Sequence, residues 1–324
     1  MKKLKVIDFD YGCGGFSKGL EDSGLFEVIY NGFLNEKNFL CYNKVHKNKF
    51  SYEDVFQKDV DLAIFTPNLG QKLYGKGEGN FIKSELNNCL AFILLHDFDN
   101  LIFITQREAV PYLHFSDKVF LTSDGKPTKD IICCRLLDLG YNVYNFVLDG
   151  AGFGLPQHKY SNIYWASKNI DSNILIKEGF GIYKRPYRLV RHLISDIDDD
   201  SDLSWHNPDY RKRDVCCCIS PGSNAYKTSS VSQSVGYIRC DGDKFGPSLT
   251  YNFYLTSSKG PSVHPWFDRP FTIREGARLF GLSDDFDWDI NLKKKDVAMM
   301  IYESFSPIVS KLMSNKISKL IRNE

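Results

Sequence analysis

Three groups of residues in this 324-residue chain have the types and spacing that chemistry requires. Gly12, Gly14 and Gly15 follow an apolar run that starts at Val6 and carries Asp8 and Asp10. A strand, a glycine turn and a helix start let backbone N–H groups approach a nucleotide-like ligand closely, although such turns also occur as plain structure. Glu108 stands at the end of the apolar run from Leu101, where it can work as an acid or be satisfied as an ordinary strand-end carboxylate. The third group is basic: Lys184, Arg185, Arg188 and Arg191, then Arg211, Lys212 and Arg213, near Tyr187, Tyr210 and Tyr226. That mixture suits phosphate neutralisation with some stacking, although a charge run is also an ordinary solvated face.

The elements that must hold these groups can be read from apolar runs and turn residues. Strands are predicted at Val6, from Asp59 into Pro67, and at Leu101, followed by a helix, strand, loop and strand between Arg135 and Ser167. One C-terminal helix is predicted from Asp296, with Val297, Met300, Ile301, Phe305, Ile308 and Leu312 at helical spacing for the core. The predicted class is α/β, with residues 1–165 plus 290–324 forming a large domain. Residues 166–289, rich in turns such as Pro221-Gly222-Ser223-Asn224, form a smaller irregular one.

Composition sets limits. The content is 43% hydrophobic and the net charge is +1, which argues against a generic nucleic-acid-coating protein. No apolar run reaches the ~18 residues of a membrane span, and Met1-Lys2-Lys3 leads into a strand rather than a signal peptide. The nine cysteines have no C-x-x-C metal spacing. Adjacent ones on a strand would face opposite ways, so they read as reduced, mostly buried hydrophobes in a cytoplasmic protein, with no metal.

The ordered series of motifs is more specific. VIDFDYGCGGF from Val6, Pro67-Asn68-Leu69, Glu108-Ala109-Val110, Gln157-His158-Lys159-Tyr160-Ser161 and RPFTIREGARLFG from Arg269 span nearly the whole chain. In order and spacing the chain resembles the DNA cytosine-C5 methyltransferase family, whose corresponding motifs are the cofactor loop, Pro-Cys-Gln, Glu-Asn-Val, Gln-x-Arg-x-Arg and Arg-x-Leu-Thr-x-Arg-Glu. The resemblance implies a Rossmann-like S-adenosylmethionine-dependent methyltransferase domain with a target-recognition domain. It also implies base flipping, and double-stranded DNA held through the basic clusters. Gly12, Gly14, Gly15, Asp8 and Asp54 match its cofactor positions.

The same resemblance marks departures. The family's thiolate adds to carbon 6 of cytosine while a carboxylic acid near N3 stabilises the enamine; Asn68, a neutral amide, stands in the thiolate's place, while Glu108 keeps the acid. Lys159 and Ser161 replace two arginines, so two forked donors become one point charge. Asp10 takes the cofactor loop's aromatic position, Phe33 falls where the ribose acid belongs with Glu36 nearby, and Tyr302-Glu303-Ser304-Phe305 replaces Gly-Asn-x-Val. S-adenosylmethionine is the implied cofactor, and a degraded, empty pocket is the competing expectation.

Three classes of function follow. One is an inactive relative that binds DNA or serves as a regulatory subunit beside an active methyltransferase or restriction-modification partner. Another is a nucleic-acid-modifying enzyme that uses the cleft for other chemistry through Asp10, Glu108 or Asn68. The third is an active DNA cytosine-5 methyltransferase with an atypical or substituted nucleophile.

Overall fold

The computed structural model describes residues 2–10, 12–32, 59–67, 79–106, 120–121, 127–128, 130–171, 174, 185–186, 188–211, 213–223, 237–246, 248–249, 252–254 and 262–323. The apolar runs become β1 (Leu4–Asp10), β2 (Phe26–Asn31), β3 (Leu62–Thr66) and β4 (Asn100–Gln106). Two-residue strands β5 (Phe120–Leu121) and β6 (Pro127–Thr128) pair with each other, and β7 (Asn142–Asp149) and β8 (Tyr160–Ser167) return to the main sheet. The sheet order is β2-β1-β3-β4-β8-β7; β2, β1, β3 and β4 run parallel, while β8 is antiparallel to both its neighbours.

Alternation along the strands supplies two cores. Val6, Ile64, Ile102 and Ile104 face α1 (Gly15–Glu21) and the last helix of the chain, meeting Phe16, Leu20, Val309, Met313 and Ile317. Ile7, Ala63, Phe65, Leu101 and Phe103 face α2 (Gly79–His96) and α3 (Ile131–Asp138), through Ile93, Ile132 and Leu136. Helices therefore cover both faces of a mixed, mostly parallel sheet, the predicted α/β arrangement.

Beyond β8 the described elements are short: α4 (Arg191–Ile194), α5 (Arg213–Cys216), a β9 (Ile238–Arg239) and β10 (Ser262–Val263) ladder, and α6 (Ile273–Leu279). The single C-terminal helix expected from Asp296 is instead two, α7 (Lys294–Glu303) and α8 (Pro307–Arg322). Ser304 is extended and Pro307 opens the second helix, where its missing N–H costs nothing. The break divides the apolar stripe: Val297, Met300 and Ile301 pack with Phe271, Phe280 and Trp288, whereas Val309, Met313 and Ile317 pack on the sheet. Among the described residues no helix is long and apolar enough to cross a membrane.

Candidate functional site

The carboxyl ends of parallel strands are where open α/β sheets place their ligands. Asp10 ends β1 and lies in register with Thr66, the last residue of β3. Gly14 then adopts φ 78°, a left-handed conformation suited to glycine, and opens α1. The turn packs hard against the link between α7 and α8: a Cβ on Gly12 would lie 2.6 Å from Ser304 Cα, and one on Gly15 would overlap the Phe305 carbonyl.

Asp10 folds its side chain back into this turn. Its carboxylate accepts the N–H of Gly12 at 2.7 Å, the N–H of Gly14 at 2.6 Å and the Thr66 hydroxyl at 2.5 Å. Burial raises its pKa, against these three hydrogen bonds and the charge of Lys159, which favour the ionised form. Two residues earlier, Asp8 is fully buried, and neither oxygen accepts a hydrogen bond, although Ser17 lies close enough to favour ionisation. Burial first, and then the neighbouring Asp10, push Asp8 well above the usual carboxylate range. Asp10 is thus a turn former, and Asp8 a buried carboxyl biased towards its protonated form.

Lys159, at the entry to β8, points its ammonium beneath the same turn. Nζ donates to the carbonyls of Tyr302 at 2.9 Å and Ser304 at 2.5 Å and sits 4.6 Å from the centre of the Phe280 ring. Its described contacts thus bind the link between α7 and α8. Gln157 is buried and spans two segments, donating to Leu279 O at 3.0 Å and accepting from Leu249 N at 2.9 Å.

The Arg269 stretch forms a second polar centre. Arg269 donates to both oxygens of Glu275, at 2.9 and 2.8 Å, and to Asp199. Thr272 and Glu275 exchange hydrogen bonds as a capping box at the start of α6. Burial alone would raise Glu275, but the hydrogen bonds and charge of Arg269, with the Thr272 amide, hold it below the usual range. His264 is fully buried, and burial lowers it to about 3, so it is neutral. Its Nδ1 accepts the amides of Trp266 and Phe267.

The expected basic residues are only partly brought together. Arg185, Arg188 and Arg213 are exposed, Arg213 lying 6.0 Å from the Tyr210 ring centre. Arg211 is exposed too, but Asp209 takes its guanidinium in three hydrogen bonds of 2.9, 3.0 and 2.5 Å. Asn68, Glu108, Asp54, Lys184 and Lys212 lie outside the described residues, as do Phe33 and Glu36. Sequence reading did not single out Thr66, Arg239 or Asp199. Arg239 is buried and donates to the carbonyls of Cys216, Ile219 and His264, partners that no side-chain motif marks.

Comparisons with known proteins agree with this arrangement. The family model for C-5 cytosine-specific DNA methylase matches residues 118–319. The Methanocaldococcus jannaschii protein M.MJ0563P is 24% identical over 98% of this chain and 99% of its own. The Escherichia coli type II methyltransferase M.Eco47II is 23% identical over 97% of this chain and 80% of its own. The crystal structure of S. pombe Dnmt2 methyltransferase superposes with a TM-score of 0.62 at 16% identity, covering 99% of each chain, a likeness of fold. With its glycine turn, its Arg269–Glu275 ion pair beside the Thr272–Glu275 capping box and a family match over most of its length, this chain belongs to the C-5 cytosine-specific DNA methylase family.

Proposed function

We propose that the chain keeps the family's frame and nucleic-acid cleft but does not transfer methyl groups to cytosine, and that it acts as a DNA-binding or regulatory subunit beside an active methyltransferase. The observation that carries this reading is Pro67-Asn68-Leu69: asparagine stands where a thiolate must add to carbon 6. Loss of a covalent nucleophile costs roughly a millionfold in well-studied enzymes, which leaves no useful turnover. Glu108 without that nucleophile has no adduct to stabilise.

The turn supports the same reading. S-adenosylmethionine, the cofactor the family uses, fits the described residues poorly: Asp10 already takes the amides of Gly12 and Gly14, and the Ser304 backbone closes over Gly12. Residues 166–289 act in this proposal as a target-recognition-like domain. Lys184, Arg185, Arg188, Arg211, Lys212 and Arg213 would supply its phosphate contacts. The relatives named as type II methyltransferases favour double-stranded DNA as the polymer and a modification system as the setting.

The test is incorporation of labelled methyl from S-adenosylmethionine into cytosine-containing duplexes. Background counts are expected, and counts above background that vanish in Glu108→Ala would overturn the proposal. A second reading, other chemistry in the same cleft, is favoured by the buried Asp8–Asp10 pair, in which burial raises both carboxyls and Asp10 raises Asp8 further. Mass analysis of DNA and tRNA from cells with and without the gene distinguishes it: a modified base that depends on the gene would replace the first reading.

A further inference from the structure

Cys216 ends α5 and Cys217 and Cys218 follow it in a turn, and the three do not alternate as they would on a strand. Cys216 turns inward with Ile219, packing on Tyr237 and Val263, while Cys217 and Cys218 are exposed between them. One buried guanidinium fixes the backbone on both sides of the exposed pair. Arg239 donates from Nη2 to Cys216 O at 2.7 Å and from Nε to Ile219 O at 2.6 Å, and Asp268 pairs with it at 2.6 Å. The two outer thiols converge as a result. Each donates to the Asp214 carbonyl at 3.3 Å, and their sulfurs lie 3.9 Å apart.

We propose that Cys217 and Cys218 form a dithiol site that chelates one soft, thiophilic centre of the trivalent arsenical class. Bonds from thiolate sulfur to a soft centre are about 2.3 Å, so two of them close across the 3.9 Å gap at an angle of roughly 115° with little movement. Preorganisation favours this, because the Arg239 clamp has already fixed the turn. A direct disulfide is the poorer product: neighbouring Cα atoms are about 3.8 Å apart, short of the roughly 4.4–6.8 Å a disulfide spans. A bridging atom removes that strain. Among the described residues no group of three or more His, Cys, Asp or Glu could hold a metal ion, so the pair offers two sulfurs and no third protein ligand. That suits a centre that keeps a substituent of its own. With phenylarsine oxide, both S–H bonds break, two As–S bonds form, and the oxide oxygen leaves with the two protons as water; nothing is oxidised or reduced. The Cys218 thiol hydrogen-bonded to it raises Cys217 and so favours its protonated form; because the step consumes both thiol protons as water and releases none, binding does not strengthen as pH rises.

The experiment uses the full chain, reduced with a phosphine, titrated with phenylarsine oxide and followed by intact mass and by competition with a small dithiol. One arsenical per chain with loss of water is expected, released by the dithiol and not by an equal concentration of monothiol. Cys217→Ser and Cys218→Ser should each weaken binding at least about a hundredfold, because an intramolecular second bond becomes an intermolecular one. Cys41→Ser should leave it unchanged. Protease mapping of the adduct on the unaltered chain provides a measurement independent of any folding defect in the variants. An adduct mapped to other cysteines, or full affinity in either serine variant, would overturn the proposal.

Discussion

The glycine turn after β1 and the hinge helix α6 both bury carboxylates, but Glu275 faces a fixed cation while Asp8 accepts no hydrogen bond. In the hinge, Arg269, Thr272 and Glu275 satisfy one another, and Asp199 supplies a second acceptor for Arg269. At the turn, Asp10 uses the loop's own amides, and Asp8 beneath it is driven towards its neutral form. The hinge is therefore a closed network in which each buried charge has its partner. The turn instead pairs one satisfied carboxylate, Asp10, with one that accepts no hydrogen bond, Asp8. Framework and chemistry rest on different residues, so one can change while the other is kept.

The largest expected effect tests that separation at Asn68, the position proposed to lack the nucleophile. Asn68→Cys should recover less than about tenfold of the roughly millionfold loss a missing nucleophile entails, since members of a catalytic unit act together. Lys159, Ser161, Tyr302 and Glu303 also depart from the family's pattern, and Asp10 still occupies the glycine amides. Robust labelled-methyl incorporation by that single variant would show that the turn is competent as it stands. On the hinge side, Arg269→Ala leaves Glu275 buried without its partner and should lower stability by about 3–5 kcal/mol. The urea midpoint should fall with an unchanged slope. A shift no larger than that of Asp10→Asn would erase the contrast between the two regions.

The strands were legible because apolar runs bounded by turn residues admit few alternatives. Val6, Ile64 and Ile102 on one face, and Ile7, Phe65 and Phe103 on the other, follow directly from period two. The break at Ser304 was not, although Pro307 announces it, because Phe305 and Ile308 keep helical spacing across it. Site residues were legible by type and much less by partner. Lys159 bonds to backbone carbonyls 143 and 145 residues away, and Asp10 to amides two and four residues on. Carbonyls and amides are present at every position, so no pattern of side chains reveals which ones a lysine or an aspartate will reach.

The two buried acids also predict opposite responses to pH. Asp8 is raised in the folded state, so folding favours its protonated form; its contribution is favourable below the unfolded carboxylate range and is lost as pH climbs through the folded value. Glu275 is lowered, so its contribution is present above that range and is lost as pH falls through its folded value. Asp8→Asn should therefore stabilise the chain at pH 7, by about 1–3 kcal/mol if removal of a buried ionisable group without a partner dominates. The gain should fade only as pH falls below the unfolded value of 3.8, where the native acid is protonated in both states. Glu275→Gln should destabilise at pH 7 and lose its effect on acidification. Parallel urea titrations across that range measure both signs, and a gain for Asp8→Asn that persists at low pH would assign the effect to packing.

The smallest expected effect lies on the surface, and it sharpens which arginines reach nucleic acid. Arg211 is held by Asp209, and that hydrogen-bonded pairing keeps the aspartate below its usual range, whereas Arg213, two residues on at the start of α5, has no ion-pair partner among the described residues and lies near the Tyr210 ring. If both faced phosphate equally, removing either would flatten the salt dependence of duplex binding by the same amount, about 0.9 in slope per contact. With Asp209 competing for Arg211, Arg213→Ala should take most of that change and Arg211→Ala little of it. Asp209→Asn frees the Arg211 guanidinium, so it should tighten duplex binding a few-fold at low salt and steepen the slope by no more than that one contact. Exposed pairs add little to folding, so the unfolding midpoint should stay within error in all three variants. Binding by fluorescence anisotropy at four or more salt concentrations reads every arm of this comparison. Equal slopes for Arg211→Ala and Arg213→Ala would mean that Asp209 yields its partner to the duplex. A salt-insensitive interaction in the unaltered chain would instead mark this face as one that meets protein rather than nucleic acid.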